Sequence, residues 1–161
     1  MLKWTEEEPK PFYIFLSRGG GVGKYYFIKT ISDYAKRYLK YTGQSLDQPS
    51  IMLTASTGKV TTNINGLTLH KAFNLNTDNA RPISRRTLSA LQLKYRYLKI
   101  IILDEISMIG FGIFKQLDFN LQDIMECHEP FGGISILAVG DFLQLPPAAQ
   151  TPIFTLPKNR M

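Results

Sequence analysis

Three short stretches of this chain carry residues that together could handle a nucleoside triphosphate. Ser17-Arg18-Gly19-Gly20-Gly21-Val22-Gly23-Lys24 lies between an apolar run and a helical pattern. Glycines in that place let backbone N–H groups curl around phosphate oxygens, and the helix start adds a favourable dipole. Lys24 is in register to reach the β- and γ-phosphates. Ile100-Ile101-Ile102-Leu103-Asp104-Glu105 ends an apolar strand in two carboxylates. The first is suited to hold magnesium and the second to polarise an attacking water. Gly140-Asp141-Phe142-Leu143-Gln144-Leu145-Pro146-Pro147 follows the apolar run Ile134 to Val139 and holds one amide, Gln144, at the tip of a rigid turn. There it would touch the γ-phosphate and report its loss, a small contact change that a bistable partner could amplify.

The glycine-rich loop departs twice from the strict pattern G-x-x-x-x-G-K-[ST]. Arg18 occupies the first glycine position, and Tyr25 stands where a serine or threonine is required. The second departure matters more. That hydroxyl is a direct magnesium ligand, and magnesium demands near-ideal octahedral geometry at short distances. A tyrosine oxygen sits a ring's length further out.

These stretches need a scaffold, and the rest of the sequence supplies one. Phe12 to Leu16, Ile51 to Ala55, Ile100 to Leu103 and Ile134 to Val139 read as short, wholly apolar strands, with Ile153 to Leu156 as a candidate fifth. Phe27, Ile31, Tyr34 and Tyr38 recur at helical spacing. Ser84 to Leu98 reads as a basic helix with Leu88, Leu91 and Tyr95 inward, and Phe111 to Met125 as another helix. Thr42 to Ser50 and Asn74 to Pro82 read as loops, and a short helix is expected after Ser56-Thr57-Gly58. Apolar strands separated by helices predict an α/β fold, a parallel sheet with helices on both faces. In such sheets ligands bind beyond the carboxyl ends of the strands, where each of the three stretches falls.

At 161 residues one domain is expected, large enough to bury roughly 70% of its unfolded surface. Apolar content of 44% and charged content of 20% exclude a disordered tail. No run approaches the ~20 apolar residues of a membrane helix, and the first residues do not read as a signal peptide. The single Cys127 excludes an internal disulfide, and beside His128 it reads as a helix end, not a metal site. Net charge is +6, and Arg81, Arg85, Arg86, Lys94, Arg96 and Lys99 run without an acid among them. That pattern fits a polyanion such as nucleic acid, or equally a solvated helix face.

The series RGGGVGK, ASTGKVTTNINGLTLHKAF, ILDEISMI and AVGDFLQLPP, in that order from about Phe12 to Pro147, resembles the first RecA-like domain of the Pif-one family of superfamily-one DNA helicases. The resemblance implies a RecA-like phosphate-loop NTPase lobe over residues 12–161 after an N-terminal extension, 1–11. It implies ATP and Mg2+ as cofactors, single-stranded DNA as partner, and 5′ to 3′ unwinding in repair, recombination or telomere maintenance. Carried over, Gly19, Gly20, Gly21, Val22, Gly23, Lys24 and Tyr25 would line the nucleotide. Asp104 would hold magnesium, Glu105 the hydrolytic water and Gln144 the γ-phosphate. Thr57, Lys59, Thr68 and His70 would face DNA; from the residues alone, His70 and Phe73 read as packing at a helix start. The segment that reads adenine is not recognisable in Lys3 to Pro11, Thr61 replaces a usual alanine, and Leu156 to Met161 has altered spacing. A second RecA-like domain, which closes over ATP in similar helicases, is absent from the sequence, so the lobe alone is not expected to unwind DNA. Nucleus and mitochondrion are the compartments such helicases use. The alternative is a catalytically inactive nucleotide- or DNA-binding remnant; a small-molecule kinase is disfavoured by the Gln144 motif.

Overall fold

A computed structural model describes residues 10–17, 23–41, 48–56, 67–76, 82–141, 147 and 151–153. Five parallel strands form one sheet: β1 (Tyr13–Ser17), β2 (Ile51–Ala55), β3 (Leu67–Thr68), β4 (Ile100–Asp104) and β5 (Ser135–Gly140), in the spatial order β1-β5-β4-β2-β3. The register sets Ile14 beside Leu137, Ile102 beside Leu137 and Leu53, and Ala55 beside both Asp104 and Thr68. The strand ends carrying the chemistry are therefore level with one another.

The inner strands β2, β4 and β5 lack polar alternation because both their faces are covered, whereas edge strand β1 keeps Tyr13 and Ile14 exposed. Successive side chains point to opposite sides. Ile102, Leu137, Val139 and Ile51 pack with Ile28 of α1 (Lys24–Tyr41). Met52, Ile101, Leu103, Ile136 and Ala138 pack into a larger core with α2 (Leu69–Phe73), α3 (Arg85–Tyr95) and α4 (Phe111–Met125). Tyr95 is fully buried, donates its hydroxyl to Ala72 O at 2.8 Å, and stacks obliquely on Phe73. Asn120 Nδ2 donates to Phe73 O at 2.9 Å. These two bonds satisfy the carbonyls that a five-residue helix leaves open. Ser84 caps α3 by accepting from Thr87 N at 3.2 Å.

The α/β prediction and four of its strands hold, with β1 and β5 each shifted by one residue and β4 longer by one. The helix expected from Phe27, Ile31, Tyr34 and Tyr38 forms as α1, and of those four Ile31 packs toward the sheet. Ile28, Ser32, Ile31 and Ala35 face the sheet, while Tyr34 and Tyr38 are exposed at 74% and 63%. Tyrosine tolerates either side because its ring is apolar and its tip polar. The candidate fifth strand begins at Ile153, just beyond Pro152, which forms an isolated antiparallel bridge with Gly110. The remainder of that candidate, Phe154 to Leu156, and the short helix expected after Gly58 lie outside the described residues.

Candidate nucleotide site

The site is built where β1 hands over to α1 and where β4 ends. Gly23 adopts φ +80°, a left-handed conformation that a side chain disfavours, and its carbonyl accepts from Phe27 N at 3.2 Å to start the helix. Lys24 is thereby the first helical residue. Its Nζ lies 3.3 Å from Glu105 Oε1 and donates to it, joining positions 81 residues apart in sequence. Both side chains are mostly shielded, at 12% and 18% exposure. No other ion pair joins two described residues.

Glu105 itself is held in an unusual backbone conformation, φ 54° and ψ 46°. Its N–H donates to Asp104 Oδ1 at 2.9 Å, and its carbonyl accepts from Met108 N at 3.0 Å, which closes the 3₁₀ turn Ile106–Met108. Asp104 is buried. Burial, then the neighbouring Glu105 charge, raise its carboxyl above the ordinary value; the Glu105 amide and Lys24 pull the other way without prevailing. Such a carboxylate gains from a cation.

Among the described residues, four of the five buried side-chain atoms without a partner point the same way; the fifth, Gln48 Oε1, precedes β2 at the opposite edge. Glu105 Oε2, Ser107 Oγ, Ser56 Oγ and His70 Nε2 are buried with no hydrogen-bond partner. Ser56 is one residue past the Ala55–Asp104 rung, Glu105 one past it on the other strand, and His70 two past Thr68. Buried polar groups are ordinarily paired, so orphaned atoms along one sheet edge suit a ligand or its water shell. The residues present fit a triphosphate: a glycine turn, a helix N-terminus and a lysine opposite two acids. They fit magnesium less completely. Asp104 would hold the ion, with phosphate and water completing the shell. Tyr25 is 43% exposed with its ring edge-on to Tyr26 at 5.6 Å between centroids, so its oxygen does not replace the short hydroxyl. Among the described residues no three His, Cys, Asp or Glu side chains gather as a metal set.

Of the residues expected to touch DNA, Thr68 and His70 are described. Thr68 caps α2, accepting from Lys71 N at 3.4 Å, and pairs through β3 with Ala55. His70 keeps Nε2 buried. Gly19, Gly20, Gly21, Val22, Thr57, Lys59 and Gln144 lie outside the described residues. The basic run is split by the fold. Arg85 and Arg86 open α3, whereas Arg96 and Lys99 sit at the amino edge, where Lys99 O accepts from Ser135 N at 3.0 Å. The described members of the run therefore lie at both ends of α3.

Two residues inside the motif stretches receive no role in the site from sequence alone. Ser107 hides among Ile106, Met108 and Ile109, where a lone hydroxyl in an apolar stretch was the available signal. Gly140 lies against the acid turn: a Cβ there would fall 2.9 Å from Ile106 Cγ2, 3.2 Å from Ser107 N and 3.3 Å from Ile106 N. Its place directly before Asp141 at a strand end was the clue.

Comparison with known proteins agrees with this geometry. The chain is 33% identical over 147 residues to the ATP-dependent DNA helicase RRM3 of Saccharomyces cerevisiae, covering 85% of this chain and 18% of that protein. It is 31% identical over 141 residues to the human ATP-dependent DNA helicase PIF1, covering 85% and 20% respectively. The chain thus spans about a fifth of the length of these relatives. Among solved structures, Pif1 helicase from Candida albicans superposes with a TM-score of 0.67 at 27% identity, covering 90% of this chain and 32% of that one. Pif1 from Bacteroides in complex with ADP-AlF3 and single-stranded DNA gives 0.65 at 28% identity, covering 88% and 30%. The family described as PIF1-like helicase matches residues 5–154, and the chain belongs to that family.

Proposed function

We propose that residues 12–161 form the first RecA-like lobe of an ATP-dependent DNA helicase, which binds Mg-ATP at the carboxyl edge of the sheet and single-stranded DNA beside it. The observation that carries this reading is the 3.3 Å pairing of Lys24 with Glu105, which brings the phosphate-loop lysine and the acid pair into one site. Within it, Lys24 takes the phosphates, Asp104 the magnesium, Glu105 the hydrolytic water and Gln144 the γ-phosphate. Thr57, Lys59, Thr68 and His70 face the DNA strand, where small hydroxyls and loop amides hold phosphates without reading bases. Polarity is 5′ to 3′, with work in repair, recombination or telomere maintenance in the nucleus or mitochondrion. Unwinding requires a second lobe to close over ATP and grip the strand in turn, so these 161 residues bind and do not unwind.

A second reading is supported by Tyr25, whose half-exposed ring is turned against Tyr26. The lobe would then bind nucleotide or DNA without turnover. A titration with a fluorescent ATP analogue, with and without magnesium, beside Tyr25→Ser decides between them. Magnesium-dependent binding by the unaltered chain supports a working site. Binding gained only in the variant supports the inactive module. No binding in either removes the nucleotide site from both readings and leaves only a DNA-binding module.

A further inference from the structure

We propose that Gly140 is a positioning residue, holding Glu105 in place by letting the end of β5 lie directly against the backbone of the acid turn. This rests on the nucleotide reading of the site, which Glu105 serves and Gly140 does not touch.

The argument starts from the conformation of Glu105. A left-handed glutamate is uncommon and persists only where its surroundings impose it. Two restraints come from its own strand end: the Asp104 carboxylate, which accepts the Glu105 N–H, and the Met108 amide, which closes the turn onto Glu105 O. Neither fixes where the turn sits relative to the sheet. The neighbouring strand does. β4 and β5 pair as far as Leu103 with Ala138, which sets Glu105 and Gly140 on the next rungs but one. There the chain of β4 leaves the sheet and folds over β5, and the first two amide nitrogens of the turn come to rest on the bare Cα of Gly140.

Any side chain at position 140 would meet three atoms at once. Ile106 Cγ2 at 2.9 Å belongs to a side chain only 2% exposed and packed into the large core, so it has little room to retreat. Ser107 N and Ile106 N, at 3.2 and 3.3 Å, are backbone. A methyl group therefore lifts the turn as a unit. Glu105 is the residue immediately before it, so its carboxylate moves with it and leaves Lys24. The φ of Gly140 is ordinary, which makes the requirement one of space and not of backbone freedom.

The test uses the chain as it exists, with Gly140→Ala and with Gly140→Ala/Ile106→Ala. Hydrogen exchange reads the turn directly, through the Met108 and Ile109 amides that bond to Glu105 O and Ile106 O at 3.0 Å each. In Gly140→Ala their exchange should rise about tenfold, the scale of an overpacked core site, while the β4 and β5 amides keep their protection. Fluorescent ATP and ADP analogues read the consequence. Affinity for the ATP analogue should fall about tenfold, with ADP within about twofold, because only the γ-phosphate approaches Glu105. The double variant removes the Ile106 methyl but leaves the two backbone contacts, so it should not recover.

Unchanged turn amides, or a rise spread evenly over the sheet, would overturn the proposal. So would equal losses for ATP and ADP, which mark a general structural role, or full recovery in the double variant, which places the conflict on a side chain. Failure of the unaltered chain to bind either nucleotide overturns the nucleotide reading itself. The exchange result then still supports or overturns the steric contact.

Discussion

Among the turns that hold left-handed residues, one lies at each edge of the sheet beside β5 and β4, and the two differ in what they leave unpaired. At the amino edge, Phe131, Gly132 and Gly133 take φ of 53°, 62° and 72° in succession. No buried side-chain oxygen or nitrogen of that turn lacks a partner, and amides within it are tied down. Phe131 N donates to Asp118 Oδ1 at 2.6 Å, Gly132 N to Glu129 O at 2.9 Å and Ile134 N to Phe131 O at 3.2 Å. The Phe131 ring lies between Tyr13 and Phe114, and the Tyr13 hydroxyl donates to Pro130 O at 2.8 Å. At the carboxyl edge, Glu105 is equally strained, yet its own Oε2 and the nearby Ser107 Oγ have no partner. Strain alone therefore does not mark a working site. Strain beside several buried polar atoms without partners is a better sign, because such atoms ordinarily find a partner and suit a ligand or water.

The sharpest way to break this comparison is at Gly132. A Cβ there would fall 2.5 Å from Leu121 O and 2.9 Å from Met125 Cβ, at a φ that disfavours side chains. Overpacking and the left-handed cost together should destabilise Gly132→Ala by roughly 3 kcal/mol or more, about 6–12 °C in Tm. Thermal and urea unfolding check it. At temperatures where the variant is folded, nucleotide affinity should match the parent. A nucleotide defect in the folded variant would make the two turns one coupled unit. Asp118→Ala comes next in size. It removes the acceptor for Phe131 N and for Gln122 Nε2, and should cost about 1–3 kcal/mol in the same unfolding experiment.

The amino-edge turn was invisible in the sequence for the reason that makes it stable. Pro130-Phe131-Gly132-Gly133 has turn residues, but its partner Asp118 lies a helix away and no local pattern announces the pairing. The carboxyl edge was legible because its chemistry is carried by residue types, a lysine, two acids and glycines, each placed by an apolar strand of readable length. β3 was not, since Leu67–Thr68 is too short to show a period and exists only by pairing with Thr54 and Ala55. On α1 the spacing found the helix, while Tyr34 and Tyr38 share the spacing of Ile31 without its burial. Periodicity finds a helix face; it does not say which of two adjoining stripes meets the sheet.

A smaller effect of opposite sign should appear at the acid turn. Because burial and the Glu105 charge raise the Asp104 carboxyl, the folded chain binds that proton more tightly than the unfolded chain does. Asp104 is thus least unfavourable below its unfolded value, and stability is lost as pH rises from there through the folded value. Asp104→Asn keeps the oxygen that accepts Glu105 N and removes the charge. At neutral pH it should stabilise the fold and raise Tm, and the gain should vanish in acid where the parent is already protonated. Thermal melts across pH check both. A variant less stable than the parent at neutral pH would show that the carboxylate contributes to folding, as Asp118 does, and would remove the contrast between the two edges.

The smallest effect on stability belongs to the residue on which the proposed activity turns. Tyr25 is 43% exposed and its described ring contact is the edge-on one with Tyr26, so Tyr25→Ser should change unfolding by no more than about 0.5 kcal/mol. The hydroxyl it introduces lies at the start of α1, beside Lys24 and level with Asp104, where a magnesium ion would need it. A variant neutral in melting but gaining magnesium-dependent affinity for the ATP analogue would place Tyr25 wholly on the ligand side of the comparison. If instead melting fell by several degrees without any gain in affinity, the tyrosine ring would be part of the scaffold. The acid turn would then have to hold its cation through Asp104, phosphate and water alone.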